Sequence, residues 1–292
     1  MSDSLKDAVR DRYGQVARGS LSSADHAVKQ IATSFGYSEG ELASIPAEAN
    51  MALSCGHPTA IASLKPGEVV VDLGCGGGLD VFLAAKAVGD TGRVIGIDMT
   101  QDMIDRAEHN AAQAGVSNVE FHLAEIENLP LADGSVDCIL SNCVLNLVPD
   151  KDRAFGEMFR ILKPGGRIAV SDIALKRELP ADLREDIQAY VGCIAGAIGI
   201  DDYAERLGLA GFREVSVTDP GADLNAYGKL SAPDGTSGSC CCAGSDDDGD
   251  ADADAGCEPH ASPAQSTALR RYNVNDFAAS VNVTAVKPSV VS

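Results

Sequence analysis

The chain lacks any apolar run of the ~18 residues that a spanning helix needs, and Met1 to Gly14 is polar and charged with no apolar signal-like stretch. Membrane and secreted classes drop out, and the expectation is a cytoplasmic protein. Basic residues are scarce as well. Only 23 Lys and Arg stand against 43 Asp and Glu, a formal charge of -20, which argues against the phosphate neutralisation that nucleic-acid binding needs. Eight of the acids fall between Ser231 and Ala268, where there is no Lys or Arg, but the remainder is acidic too. A disulfide framework is also missing: nine cysteines, an odd number without a secretory signal, read as reduced thiols. What is present is a 292-residue chain, 45% apolar, able to bury one sizeable core. No feature asks for an obligate assembly, so a monomer is expected.

From Val69 onward, short apolar runs alternate with amphipathic stretches, the signature of β-α-β units around a mostly parallel sheet. Strands are expected at Val69 to Leu73, Arg93 to Ile97, Val119 to Leu123, Val136 to Ser141 and Arg167 to Asp172. Helices are expected at Asp80 to Ala87, Gln101 to Ala114 and Lys151 to Leu162, the last stopped by Lys163-Pro164-Gly165-Gly166. Pro180 to Gly211 reads as helix and Glu214 to Thr218 as another strand. The fold class is α/β, a doubly wound, mostly parallel seven-stranded sheet. Residues 1–62 read as a helical lid carrying Cys55, 63–218 as the core, 219–270 as a disordered, acidic, Cys-rich insertion, and 271–292 as a last strand and tail.

Asp72-Leu73-Gly74-Cys75-Gly76-Gly77-Gly78 follows an apolar strand and opens a helix, where glycines let the backbone turn tightly and approach a ligand. Twenty residues beyond Gly78, Asp98 ends the second strand, placed to accept hydrogen bonds from both ribose hydroxyls. The loop is G-x-G-x-G behind an acid, since the sixth position from Gly74 is Leu79. A dinucleotide would set a pyrophosphate there, which Asp72 would repel. The pattern resembles the first motif of class I S-adenosylmethionine methyltransferases. Glu125-Ile126-Glu127 after the third strand and Leu162-Lys163-Pro164-Gly165-Gly166-Arg167 before the fifth resemble further parts of that superfamily.

Cys55 lies in Leu53-Ser54-Cys55-Gly56-His57-Pro58, ahead of a helix that Pro58 can start, a setting that favours thiolate. Cys143, in Ser141-Asn142-Cys143-Val144-Leu145-Asn146-Leu147, lies just past the fourth strand, on the rim where open α/β sheets bind ligands. Cys193, in Tyr190-Val191-Gly192-Cys193-Ile194-Ala195-Gly196, lies in a small-residue stretch able to pack over the same rim. The bland reading of any one of these is a small buried hydrophobe, and it is preferred for Cys75 and Cys138.

Together the three motifs resemble the arsenite methyltransferase family, from about Val9 to Pro288 apart from the insertion. The closing Tyr272-Asn273-Val274-Asn275-Asp276-Phe277 also resembles its short bacterial-type members. The resemblance implies methyl transfer from S-adenosylmethionine to As(III) held by Cys55, Cys143 and Cys193, in arsenic detoxification. It implies a donor site of Tyr13, Asp72, Gly74, Cys75, Gly76, Gly78, Asp98, Met99, Ile126, Glu127 and Asn142. It also implies arsenite or a thiol conjugate of it as substrate, and an external thiol reductant, thioredoxin or glutathione. Where relatives carry a cysteine after the N-terminal Tyr-Gly, this chain has Tyr13-Gly14 and then Ser20-Leu21-Ser22-Ser23-Ala24, which leaves no N-terminal thiol for an internal disulfide relay. Cys240, Cys241 and Cys242, with Cys257 and His260 beyond, match no zinc module by spacing. They read either as an accessory arsenic-capturing cluster or as part of a passive acidic linker.

Two alternatives differ in class. A C- or O-methyltransferase of a small molecule would share Gly74 to Gly78 and Asp98 but would not need three rim cysteines. A non-catalytic arsenic- or metal-sequestering protein would not need an intact donor loop.

Overall fold

The computed structural model describes residues 2–184, 193–226 and 272–289. The chain opens with α1 (Ser2–Arg18), α2 (His26–Ser34), α3 (Glu39–Ala43) and the short α4 (Pro58–Ile61). The sheet region then runs β1 (Val69–Leu73), α5 (Leu79–Val88), β2 (Arg93–Asp98), α6 (Gln101–Ala114), β3 (Val119–Leu123), β4 (Val136–Asn142), α7 (Lys151–Ile161) and β5 (Leu162–Leu175). It ends with α8 (Ala181–Arg184), α9 (Ile200–Leu209), β6 (Arg213–Thr218) and β7 (Ala278–Val286).

The seven strands lie in the order β3-β2-β1-β4-β5-β7-β6. β1 to β5 pair in parallel, and β7 enters antiparallel between β5 and β6. Successive strand residues point to opposite faces, so both faces are buried. Val71 and Leu73 join Phe155 and Met158 of α7 and Tyr203 and Leu207 of α9 on one side. Val70, Val94 and Leu140 join Val81, Ala84 and Val88 of α5 on the other. Each fully buried aliphatic side chain contributes roughly 1.5–3 kcal/mol, which is why the central strands read as continuous apolar runs. Cys138 is one such core residue, and burial raises its thiol to about 12.

Two expectations need correcting. Pro180 to Gly211 is not one helix: Cys193 lies in a turn at φ +67°, and α9 starts only after Gly199. Glycines at 192, 196 and 199 weaken helix here, and Leu175 N–H captures Ile198 O at 2.8 Å instead. β5 is also longer than Arg167 to Asp172, because Leu162 already pairs with Val136 ahead of the Pro164-Gly165-Gly166 irregularity.

The N-terminal helices pack over the strand ends. Val9, Val28, Ile31 and Phe35 share one apolar cluster with Cys55, Cys143, Cys193, Ile173 and Ala278. Arg106 of α6 donates to Ala17 O, Gly19 O, Leu21 O and Glu48 O at 2.7–3.0 Å, tying this layer to the sheet. Among the described residues, no helix is long and apolar enough to cross a membrane.

Candidate active site

Strand order reverses between β1 and β4, and the crevice beyond their C-terminal ends is where such sheets take ligands. A cavity opens there. With its mouth it encloses about 1000 Å³. Asp72, Gly74, Cys75 and Gly76 reach it from β1 and the turn that follows, and Asp98 and Met99 from the end of β2. Ile126 and Glu127 come from the turn after β3, Asn142 and Cys143 from the end of β4, and Tyr13 from α1. Gly78 does not line it; at φ +96° it heads α5.

The glycine turn is held by Gly74 N–H and Cys75 N–H, which both donate to Ile97 O at 2.7 and 2.9 Å. Gly74 has φ +71°, and a Cβ there would sit 2.2 Å from Val144 Cγ2, so the loop after β4 can approach only a bare backbone. Asp98 accepts Gly76 N–H on Oδ2 at 3.1 Å and Thr100 N–H on Oδ1 at 2.9 Å. Burial raises Asp98 above the usual carboxylate range, against the pull of those N–H groups. Asp72 is raised well above it by burial, with the Asp80 and Asp98 carboxylates adding repulsion. Lys6 is the one base lining the cavity, and it is engaged by Glu125 at 2.6 Å and Glu127 at 3.1 Å.

Cys143 carries the cavity lining toward two further buried thiols. Cys55, Cys143 and Cys193 are all buried, at 0%, 8% and 2% exposure, and all unpaired in disulfides. Cys143 and Cys193 occupy the left-handed region at φ +59° and +67°, a conformation that costs a non-glycine residue free energy and collects at functional sites. Cys143 N–H donates to Ser171 O at 2.8 Å, and the Cys193 thiol donates to Cys143 O at 2.8 Å. Tyr13 Oη is 3.9 Å from Cys193 Sγ. Cys55 Sγ lies 3.8 Å from Asn142 Oδ1 and 3.6 Å from Ser171 O. The expected thiolate at Cys55 is not what the environment favours. Burial raises this thiol to about 11, and α4 is only one turn long.

A family model described as a methyltransferase domain matches residues 64–211, a little over half of the chain. The chain belongs to the methyltransferase domain family. This methyltransferase-domain chain is 47% identical over 182 residues to the arsenite methyltransferase of Halobacterium salinarum, covering 62% of this chain and 46% of that protein. It is 36% identical over 204 residues to the arsenite methyltransferase of Aquipseudomonas alcaligenes, covering 61% and 59%. The chain therefore spans about half the length of these curated relatives. A solved structure of an arsenic(III) S-adenosylmethionine methyltransferase from Chlamydomonas reinhardtii superposes with a TM-score of 0.55 at 26% identity, covering 90% of this chain and 74% of that one.

Several residues of this methyltransferase site were not singled out from sequence. Asp80 and Tyr37 form a buried pair in which Tyr37 Oη donates to the carboxylate at 2.9 Å. Asn142 Nδ2 reaches Asp80 Oδ2 at 3.0 Å and Gly56 O at 3.0 Å, while its Oδ1 accepts Cys55 N–H at 3.1 Å. One amide therefore joins the acidic end of the cavity to the Cys55 loop. Asp172 of β5 is fully buried beside the thiols. Cys240, Cys241, Cys242, Cys257 and His260 lie outside the described residues.

Proposed function

We propose that this chain is an arsenite methyltransferase, moving methyl groups from S-adenosylmethionine to As(III) held by the thiolates of Cys55, Cys143 and Cys193, in arsenic detoxification. The observation that carries this reading is that Cys143 reaches the acidic cavity with a second buried, reduced thiol, Cys55, gathered beside it and the Cys193 thiol bonded to its carbonyl. The relatives named above support the same acceptor.

The cavity suits a cationic, adenosine-bearing donor. Asp98, held by the backbone N–H groups of Gly76 and Thr100, lines the cavity at the end of β2, where a carboxylate can accept a ribose hydroxyl. Asp72 and Asp80, both raised by burial, gain the counter-charge they lack when an ammonium and a sulfonium arrive. Met51, Met103, Ile126 and Val144 supply apolar walls. When bound, the donor supplies an electrophilic methyl group on sulfonium sulfur.

Arsenite exchanges three hydroxides for three thiols and releases three waters, so the raised thiols enter the complex without burying net charge. Three sulfurs leave arsenic pyramidal, with its lone pair at the apex. That lone pair forms the As–C bond as the donor's S–C bond breaks. No proton leaves the attacking atom, so alignment replaces a general base. Transfer oxidises arsenic by two electrons, which a thioredoxin- or glutathione-type thiol returns.

The test is separation of arsenic species after incubation with arsenite, S-adenosylmethionine and a thiol reductant. Methylated arsenic is expected from the wild type and none from Cys143→Ser or Cys193→Ser, with donor binding kept in both. Methylation retained by either variant removes the three-thiolate model.

A further inference from the structure

Among the described residues, the donor atoms gathered within 4.8 Å of one another are those of Cys55, Cys143 and Asp172, all buried. Cys193 is not in that mutual group, although its thiol bonds to Cys143 O at 2.8 Å and to the Cys143 side chain. The group within mutual reach is therefore two sulfurs and an oxygen, with a third sulfur against one of them.

That mixture has its own ligand chemistry. Ions of the zinc–cadmium type accept thiolate and carboxylate together in a tetrahedron, whereas As(III) makes three bonds, keeps a lone pair and prefers thiolates. The carboxylate is also steadied in the manner of a metal ligand. Its Oδ1 accepts Asn146 Nδ2 and Ile173 N–H, both at 2.9 Å, its Oδ2 accepts Tyr203 Oη at 3.2 Å, and the Asn146 backbone bonds to the same carboxylate. Zinc bonds of ~2.3 Å to sulfur and ~2.0 Å to oxygen put tetrahedral donors roughly 3.5–3.8 Å apart, so donors within 4.8 Å of one another need draw in by no more than about 1.3 Å.

We propose that Cys55, Cys143 and Asp172 form a site for a thiophilic divalent cation, with the fourth position left to Cys193 or water. Cation binding needs no methyl transfer, but because the site shares two sulfurs with the proposed arsenite site, the cation and arsenite exclude one another.

The experiment titrates cadmium into the full chain carrying Cys240→Ser, Cys241→Ser, Cys242→Ser and Cys257→Ser, and follows sulfur-to-cadmium ultraviolet charge transfer. One strongly bound cadmium per chain is expected, and none in Cys55→Ser or Cys143→Ser. Asp172→Asn should weaken cadmium by at least the ~10- to 100-fold typical of losing even an outer partner of a metal, and should not weaken arsenite, since losing the carboxylate's charge removes a repulsion that raises the thiols. Cadmium-edge X-ray absorption on the unaltered site should count at least one oxygen donor and needs no variant to fold. An all-sulfur shell, wild-type cadmium affinity in Asp172→Asn, or no charge transfer at all overturns the proposal. If cadmium binds as described but arsenite is never methylated, the proposed function fails and this site stands.

Discussion

At the scale of single residues, two buried carboxylates, Asp98 and Asp172, each raised by burial, offer separate tests. Asp98→Ala removes the acceptor proposed for the ribose and should weaken binding of S-adenosylhomocysteine by about 1.5–3 kcal/mol, the range for a hydrogen bond to a charged group. Calorimetric titration showing no change would move that contact elsewhere. Asp172 gives a sign as well as a size. Burial pushes it up to about 7, against about 3.9 in an unfolded chain. Between those values the folded protein holds a proton that the unfolded chain has released, so stability falls as pH rises from about 4 to about 7 and is flat beyond. The full difference is on the order of 4 kcal/mol. Asp172→Asn should flatten that part of the pH dependence of the urea-unfolding free energy. An unchanged slope would mean the carboxylate is ionised in the folded state.

At the scale of elements, the Cys55 loop lies directly on β5. A Cβ at Gly56 would fall 2.4 Å from Ser171 Cβ, whose backbone is fixed by the sheet. Gly56→Ala should therefore lift this loop, costing roughly 1–3 kcal/mol of stability and weakening arsenite binding at least tenfold more than donor binding, about 1.4 kcal/mol in differential affinity. Equal effects on both ligands would show that the loop does not act on the thiol end alone. Such contacts mark the boundary of what was legible beforehand. β1, β3 and α6 have the bounds read from periodicity, because apolar runs closed by turn residues leave little freedom. The glycine loop and Asp98 were legible because both flank strands in an ordered pattern. Asp80, Tyr37 and Asp172 were not, since a single buried polar residue has no periodic signature and much of what holds it is remote in sequence: Tyr37 and Asn142 lie 43 and 62 residues from Asp80, and Tyr203 lies 31 from Asp172. The turn at Cys193 was missed because small residues suit helix and turn alike, and a left-handed φ at cysteine has no sequence mark.

At the scale of the whole molecule, 43 acids against 23 bases make the folded state self-repelling. Raising KCl from about 0.1 to about 1 M shortens the screening length from ~10 to ~3 Å, so the melting temperature should climb by roughly 2–4 °C for each kcal/mol of repulsion relieved. A fall in calorimetric melting temperature would instead mean that ion pairs such as Arg167–Glu68 at 2.7 Å dominate. The strand order adds a matter of timing. β7 is the last strand in the chain, yet it lies between β5 and β6, and Ser280 on it donates to Cys55 O. A ribosome releasing this protein holds a split sheet until residues 278–286 emerge, and the backbone that bears the first thiol stays unclasped until then. The site proposed for arsenite is thereby assembled only after β7 has joined the sheet, and a nascent chain stalled short of residues 278–286 should not form it.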